Sequence, residues 1–251
     1  MIADELLAAL EIPVAARVQQ RIPKKLLLEN GAPTTADKRA ISGGIEEMQW
    51  MFALKPGNVG IPSYSDEARE YLEIAVLRIT FRDDAKANRL TELIHRAIPY
   101  PIVLIAAQGA NTIVSLAHKR WAHNEADKAV LDGELQVASM ISATAEIKHD
   151  FLKALPLSAQ ARSSLYALYQ SWLDALIAFE AALQTGAFLL LGSDVQREAR
   201  FTALHESIEL QNQLGSLRAA AKRASQMGRQ VDLNLQIKDL ERKLAQVKED
   251  L

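Results

Sequence analysis

Two glutamates and a lysine come closest in this chain to a hydrolytic set. A nuclease core of the restriction-enzyme type needs an Asp and, on a following strand, Glu-x-Lys, so that carboxylates hold magnesium while the lysine assists a water. Asp66, Glu70 and Glu73 lie before and within the extended stretch Tyr71–Phe81, but Glu73 is followed by Ile74-Ala75, with no lysine at that spacing. Glu134 is followed by Leu135-Gln136. Lys119 would have to arrive from a neighbouring strand. A divergent metal-dependent nuclease using Glu70, Glu73 and Lys119 is therefore an alternative reading, and no catalytic residue is assigned.

The five histidines are His95, His118, His123, His149 and His205. His118 and His123 lie close to Glu125 and Asp127, yet a metal centre needs ligands that converge, and this spacing does not require it. They read as surface histidines, and no metal site is expected. His95 sits beside the apolar face of a helix and reads as a structural histidine. No G-x-S-x-G, G-x-x-x-x-G-K-[ST] or G-x-G-x-x-G motif occurs, so no cofactor is expected either.

Basic groups are the better binding candidates. Lys24 and Lys25 begin an apolar run, Lys119-Arg120-Trp121 set two cations beside an indole, and Arg218, Lys222, Arg223 and Arg229 crowd a helical turn. Such groups neutralise phosphates, and Trp121 offers a face on which a base can stack. The competing reading is a solvated edge, since lysines also protect sheet edges.

The totals narrow the classes. With 29 basic and 31 acidic side chains the formal charge is -2, so any nucleic-acid contact must come from a local patch. The chain has no cysteine, which excludes disulfides and thiolate chemistry and agrees with a cytoplasmic setting. The start MIADELLAALEIP has no basic region and no long apolar core, so neither a signal peptide nor a membrane association is expected.

The organising stretch is Asn88 to Arg120. Leu90, Leu93, Ile94 and Ala97 place one apolar face on a helix, which Pro99 and Pro101 end. Ile102–Ala107 is apolar on both faces and predicts a central strand. Gln108–Asn111 turns the chain, and Thr112–His118 returns as a second strand. Around these, helices are expected over Asp4–Leu10 and Ala36–Leu54, the latter capped by Thr35, with a short turn or helix at Ala15–Arg21. Strands are expected over Ile22–Glu29, Tyr71–Phe81 and Ala129–Ile141, the last bent near Asp132-Gly133.

After about Ile147 the character becomes helical, with a long helix over Ser158–Gln184 and a polar pair over Val195–Arg223 and Val231–Leu251. Leu233, Ile237, Leu240, Leu244 and Val247 form a heptad seam, matched by Leu210, Leu214, Leu217 and Ala221. The seam either closes on its own hairpin or receives a partner helix. The fold class expected is α+β, an antiparallel or mixed sheet with packed helices, followed by a helical region ending in an antiparallel coiled-coil hairpin. The segments are 1–150, 151–194 and 195–251.

Several stretches together resemble a bacterial family catalogued only as a domain of unknown function. They are Ile22–Leu26, Ile61–Tyr64, Glu70–Ile74, Ala97–Pro101, Ala117–Arg120, Leu168–Leu173, Thr185–Phe188 and Gly228–Asn234. The order is kept along nearly the whole chain. Where that family tends to carry a charged Lys-Glu-Lys-Gln-Phe-Asn run, this chain has Arg223–Gly228, which weakens the turn as a fixed charged site. The resemblance implies a genomic setting beside Snf2-type helicases and DNA methyltransferases, in clusters of restriction or antiviral-defence type. It carries over no catalytic residue. The expectation is a non-catalytic accessory subunit that binds such partners and duplex DNA, with phosphate contact from Lys24, Lys25, Lys119, Arg120, Trp121 and Arg229. Partner contact is expected from Leu233, Ile237, Leu240, Leu244 and Val247. A structural homo-oligomer is the third reading.

Overall fold

The computed structural model describes residues 2–122 and 128–251. They form nine α-helices: α1 Ile2–Ala9, α2 Lys24–Asn30, α3 Thr35–Gly44, α4 Pro56–Val59, α5 Ala87–Ala97, α6 Ala145–Lys153, α7 Leu165–Thr185, α8 Asp194–Arg223 and α9 Met227–Val247. The eight strands are β1 Arg17–Arg21, β2 Ile45–Leu54, β3 Tyr64–Ser65, β4 Glu70–Tyr71, β5 Ile74–Phe81, β6 Ile102–Gln108, β7 Asn111–Trp121 and β8 Ala129–Ser139. Contacts divide the chain into two compact units, Met1–Leu176 and Ile177–Leu251, with the division inside α7.

The first unit is α+β. Its six-stranded sheet runs β1-β2-β5-β6-β7-β8, and β3 pairs separately with β4. The sheet is mixed: β5 and β6 are parallel and joined through α5, while every other neighbouring pair is antiparallel. A helical crossover is what a parallel pair requires. Leu77, Ile79, Leu104 and Ala106 pack with Leu27 of α2, Ile41 of α3 and Leu90, Leu93 and Ile94 of α5 on one face. Helices α1 and α6 belong to the other face, where Asp4 pairs with Arg78 of β5 at 2.8 Å. The β6–β7 turn needs Gly109, whose φ is 55° and whose Cβ would meet the Asp83 carboxylate at 3.2 Å.

Several expected elements differ. The run Leu26–Leu28 lies in α2, not in a strand: Pro23 precedes the helix, the Gly31 amide closes it on the Leu27 carbonyl at 2.8 Å, and of the three leucines Leu27 alone is fully buried. Ala15–Arg21 becomes a short 3₁₀ turn and then β1. The helix expected through Leu54 ends at Gly44 and continues as β2, and Thr34, not Thr35, accepts the capping bond from the Asp37 amide at 3.1 Å. Gly44 also allows α3 to press onto α5, since a Cβ there would lie 2.8 Å from Leu90. The strand expected from Tyr71 is interrupted at Leu72-Glu73. Helix α6 closes the first region after β8, and α7 begins at Leu165 rather than Ser158.

In the second unit α8 and α9 pack side by side, joined by residues 224–226, which makes them antiparallel. Arg218 and Glu241 pair across the hairpin at 2.7 Å. Helix α9 starts at Met227, earlier than the expected Val231.

Candidate functional site

The densest polar network of the described residues lies where β7 meets α7. Beyond Leu116 the pairing of β7 with β8 shifts, so that His118 faces Asp132. Gly133, with φ 79°, lies in the extra length of β8 that this bulge accommodates. The Lys119 amide donates to the Tyr71 hydroxyl at 3.4 Å, and that hydroxyl donates to Nδ1 of His118. Nε2 of His118 donates to Gln170 Oε1 at 2.8 Å, and the Gln170 amide donates to the Asp174 carboxylate at 2.8 Å. Every donor in this chain meets an acceptor when His118 is neutral with its proton on Nε2, the tautomer the partners assign. Burial lowers the His118 pKa and raises that of Tyr71. Both ring nitrogens are thus engaged, and His118 has no free position for a metal or a substrate proton in this arrangement.

Beside it, Tyr169 is fully buried, accepts from the Ala117 amide at 2.9 Å and lies 2.8 Å from the Ile102 carbonyl. Tyr166 stacks on Tyr64 with centroids 4.9 Å apart, and Arg69 reaches the Tyr166 hydroxyl at 3.0 Å. Arg69 also pairs with Asp132 at 2.9 Å, and Arg120 approaches the same carboxylate at 3.6 Å. Trp121, 36% exposed, ends the strand, its amide bonded to the Ala68 carbonyl at 2.8 Å. Two arginines, an open indole and a tyrosine stack therefore share one corner.

Strand alternation divides the predicted Lys119-Arg120-Trp121 cluster. Successive side chains point to opposite faces, so Arg120 stays at the corner while Lys119 turns under α5. Only 3% exposed, Lys119 gives its ammonium to the His95 carbonyl in the last turn of α5. Burial, then Arg96, pushes its pKa down to about 8. His95 is buried and lies 2.9 Å from the Ser115 hydroxyl, as the structural reading expected, and burial holds its pKa down at about 3. Lys119 therefore cannot touch a phosphate without leaving the interior.

The other predicted residues scatter. Glu73 pairs with Lys55 at 2.9 Å, Glu70 lies in β4, and the Lys119 ammonium is spent on the His95 carbonyl. Among the described residues no group of three or more His, Cys, Asp or Glu side chains is placed to hold a metal ion. His123, Glu125 and Asp127 lie outside the described residues. Lys24 reaches the Ser42 carbonyl at 3.3 Å, and exposed Lys25 pairs with Glu29 at 3.5 Å. Arg229 is exposed in the first turn of α9.

On the hairpin, Leu233 and Ile237 are buried, with Leu240, Leu244 and Val247 half-buried, while Leu210 and Leu214 are buried on α8. The seam closes on its own hairpin. What remains open is a lateral groove of about 780 Å³ between α8 and α9, with Leu217, Leu235 and Leu240 as its apolar floor. Asn212, Gln213, Ser216 and Gln236 edge it. Leu235 is 61% exposed. It falls outside the heptad seam, so the periodicity hid it, although a leucine off the seam of a polar helix is itself a signal. Arg69, Tyr166 and Gln170 were also missed. Four of the stretches that carry the family resemblance supply Tyr64, Tyr71, His118 and Gln170 to this one region.

The chain matches the family described as Domain of unknown function (DUF4391) over residues 10–244 and belongs to it. No curated protein matches the chain. No solved structure matches it either. No helix of the described residues is long and apolar enough to cross a membrane.

Proposed function

We propose that this chain is a non-catalytic accessory subunit that works by binding, with the α8–α9 groove as the seat for a partner helix. The observation that carries this is Leu235: a leucine 61% exposed, lining an apolar groove beside a seam already closed by its own hairpin. Two packed helices leave a furrow into which the ridge of a third fits, and an amphipathic partner helix supplies anchors at i, i+3, i+4 and i+7. The closed state of the His118 network favours binding over chemistry, because it offers no open base.

The resemblance points to the partner class: a helicase or DNA methyltransferase subunit of a restriction-like or antiviral-defence complex. Arg69, Arg120 and Trp121 supply a modest contact to a nucleic-acid backbone, since Asp132 already neutralises part of the two arginines.

Co-purification of the chain with the products of its neighbouring genes tests this reading. A stable complex with a helicase or methyltransferase, lost in Leu235→Asp and kept at high salt, is expected. Recovery of the chain alone at low and high salt would sink it. A concentration-dependent homodimer lost in the same variant would replace the foreign partner with a second copy.

A further inference from the structure

A second open site lies toward the β1 edge of the first unit's sheet, away from β7 and β8. Trp50 of β2 and Tyr100, just past α5, stack with centroids 6.0 Å apart and planes 26° from parallel. Both rings line a cleft of about 170 Å³ together with Met48, Leu77 and Leu26, the last 49% exposed. The indole is held in place, since its Nε1 donates to the Phe52 carbonyl at 2.7 Å. Interiors pack to crystal density. Here the C-terminal end of α2 already meets α5 closely, because a Cβ on Gly31, the residue that caps α2, would lie 2.5 Å from that of Ala97. The two helices therefore cannot slide together to fill the cleft. A second recess of about 360 Å³ shares Ile22 and Met48 with it and carries Arg21 and Lys24.

We propose that this cleft is a stacking site for one unpaired base of a single-stranded nucleic acid, with the adjoining phosphate at Arg21 and Lys24. An aromatic lining suits a planar ring better than a branched aliphatic side chain, and base–aromatic stacking tolerates any base. Duplex ends and paired bases cannot enter a cleft of this size. Glu46 and Glu47 line the same recess as the two cations, which limits the electrostatic share. Binding at this site rests on stacking, so its salt dependence is shallow, with a log–log slope of about -0.7 for one phosphate. The site is independent of the hairpin groove and stands or falls separately from it.

The test uses the full chain carrying Trp121→Ala, which removes the other exposed indole and leaves Trp50 as the accessible one, Trp172 being 1% exposed. Titration with short oligo-dA is expected to quench the Trp50 emission with the shallow salt slope above, and duplex of the same sequence to quench it far less. Tyr100→Ala is expected to weaken binding about 5- to 150-fold, the range for loss of one stacked base. Leu26→Glu, which places a charge at an exposed lining position and leaves the core intact, serves as the variant free of folding risk and is expected to abolish the quench. An absent quench at low salt, equal affinity for duplex, or oligo-dA binding unaffected by Leu26→Glu would each overturn the proposal. Saturation of the cleft by an apolar peptide without any response to oligo-dA would also overturn it.

Discussion

The Tyr71 hydroxyl donates to Nδ1 of His118, and this one bond decides how the surrounding polar residues behave. It closes a line of donors from the Lys119 amide to the Asp174 carboxylate and ties strands β4 and β7 to the start of α7. Networks of this kind are stabilising when every member is satisfied and destabilising when one is removed.

Tyr71→Phe removes the donor and leaves a buried ring nitrogen without a partner. A loss of about 1–3 kcal/mol in unfolding free energy is expected, read as a lower urea midpoint with an unchanged slope. Gln170→Leu, which breaks the other side of the same imidazole, is expected to cost a similar amount, and the double variant less than the sum. Strict additivity would show that the residues act independently.

Acid is expected to weaken the fold from about pH 6.5 downward. His95 and His118 both have pKa values lowered by burial, so their contribution is complete above the unfolded-state histidine pKa of about 6.5 and is lost as pH falls below it. Between pH 6.5 and 5 His95 adds a slope of up to about 1.4 kcal/mol per pH unit, and His118 acts in the same direction. His95→Gln is expected to flatten that part of the stability curve, measured by denaturant titration at several pH values. An unchanged slope would mean that His95 is accessible to protons in the fold.

Glu180 runs the opposite way. Burial pushes its carboxyl up to about 8, so its favourable contribution is present at low pH and is lost as pH rises from the unfolded value toward 8. Glu180→Gln is expected to stabilise the protein by about 1–3 kcal/mol at pH 8 and to change little at pH 4. Equal effects at both pH values would contradict this.

The sheet's centre and the hairpin were legible because their patterns are redundant. Ile102–Ala107 is apolar on both faces, and five seam residues of α9 repeat by threes and fours. Helix α2 was not legible, because three consecutive leucines fit a buried strand as well as a short helix. Nor was the junction of α3 and β2: Ile41, Ile45, Met48 and Phe52 keep helical spacing across a boundary that Gly43-Gly44 alone marks. The His118 network lay beyond reading, since its partners stand 47 and 52 residues away in the chain. Lys119 and Arg120 looked equivalent until strand alternation sent one inward.

That difference is measurable. If the corner touches DNA, Arg120→Ala is expected to reduce the log–log salt slope by about 1, while Lys119→Met leaves it unchanged. Lys119→Met is also expected to be near neutral or mildly stabilising, because a buried ammonium is replaced by an apolar side chain of similar length. Filter binding across a salt series, with a parallel melt, reads both. A slope lowered by Lys119→Met would place that lysine at the surface.

Ile237 and Leu235 separate the two faces of α9. Ile237→Ala, within the seam, is expected to lose about 2–4 kcal/mol, whereas Leu235→Ala should fall within about 0.5 kcal/mol of the parent. Hydrogen exchange across the hairpin would show faster opening for the first variant alone.

The affinity of the purified chain for its co-purifying helicase or methyltransferase partner tests the central claim most directly, measured by calorimetry for the parent and for Leu235→Asp. With circular dichroism unchanged, a loss of affinity of at least about tenfold is predicted, as for a charge set into an apolar seat. Equal affinity of the two proteins would contradict the claim and move the interface off the hairpin groove.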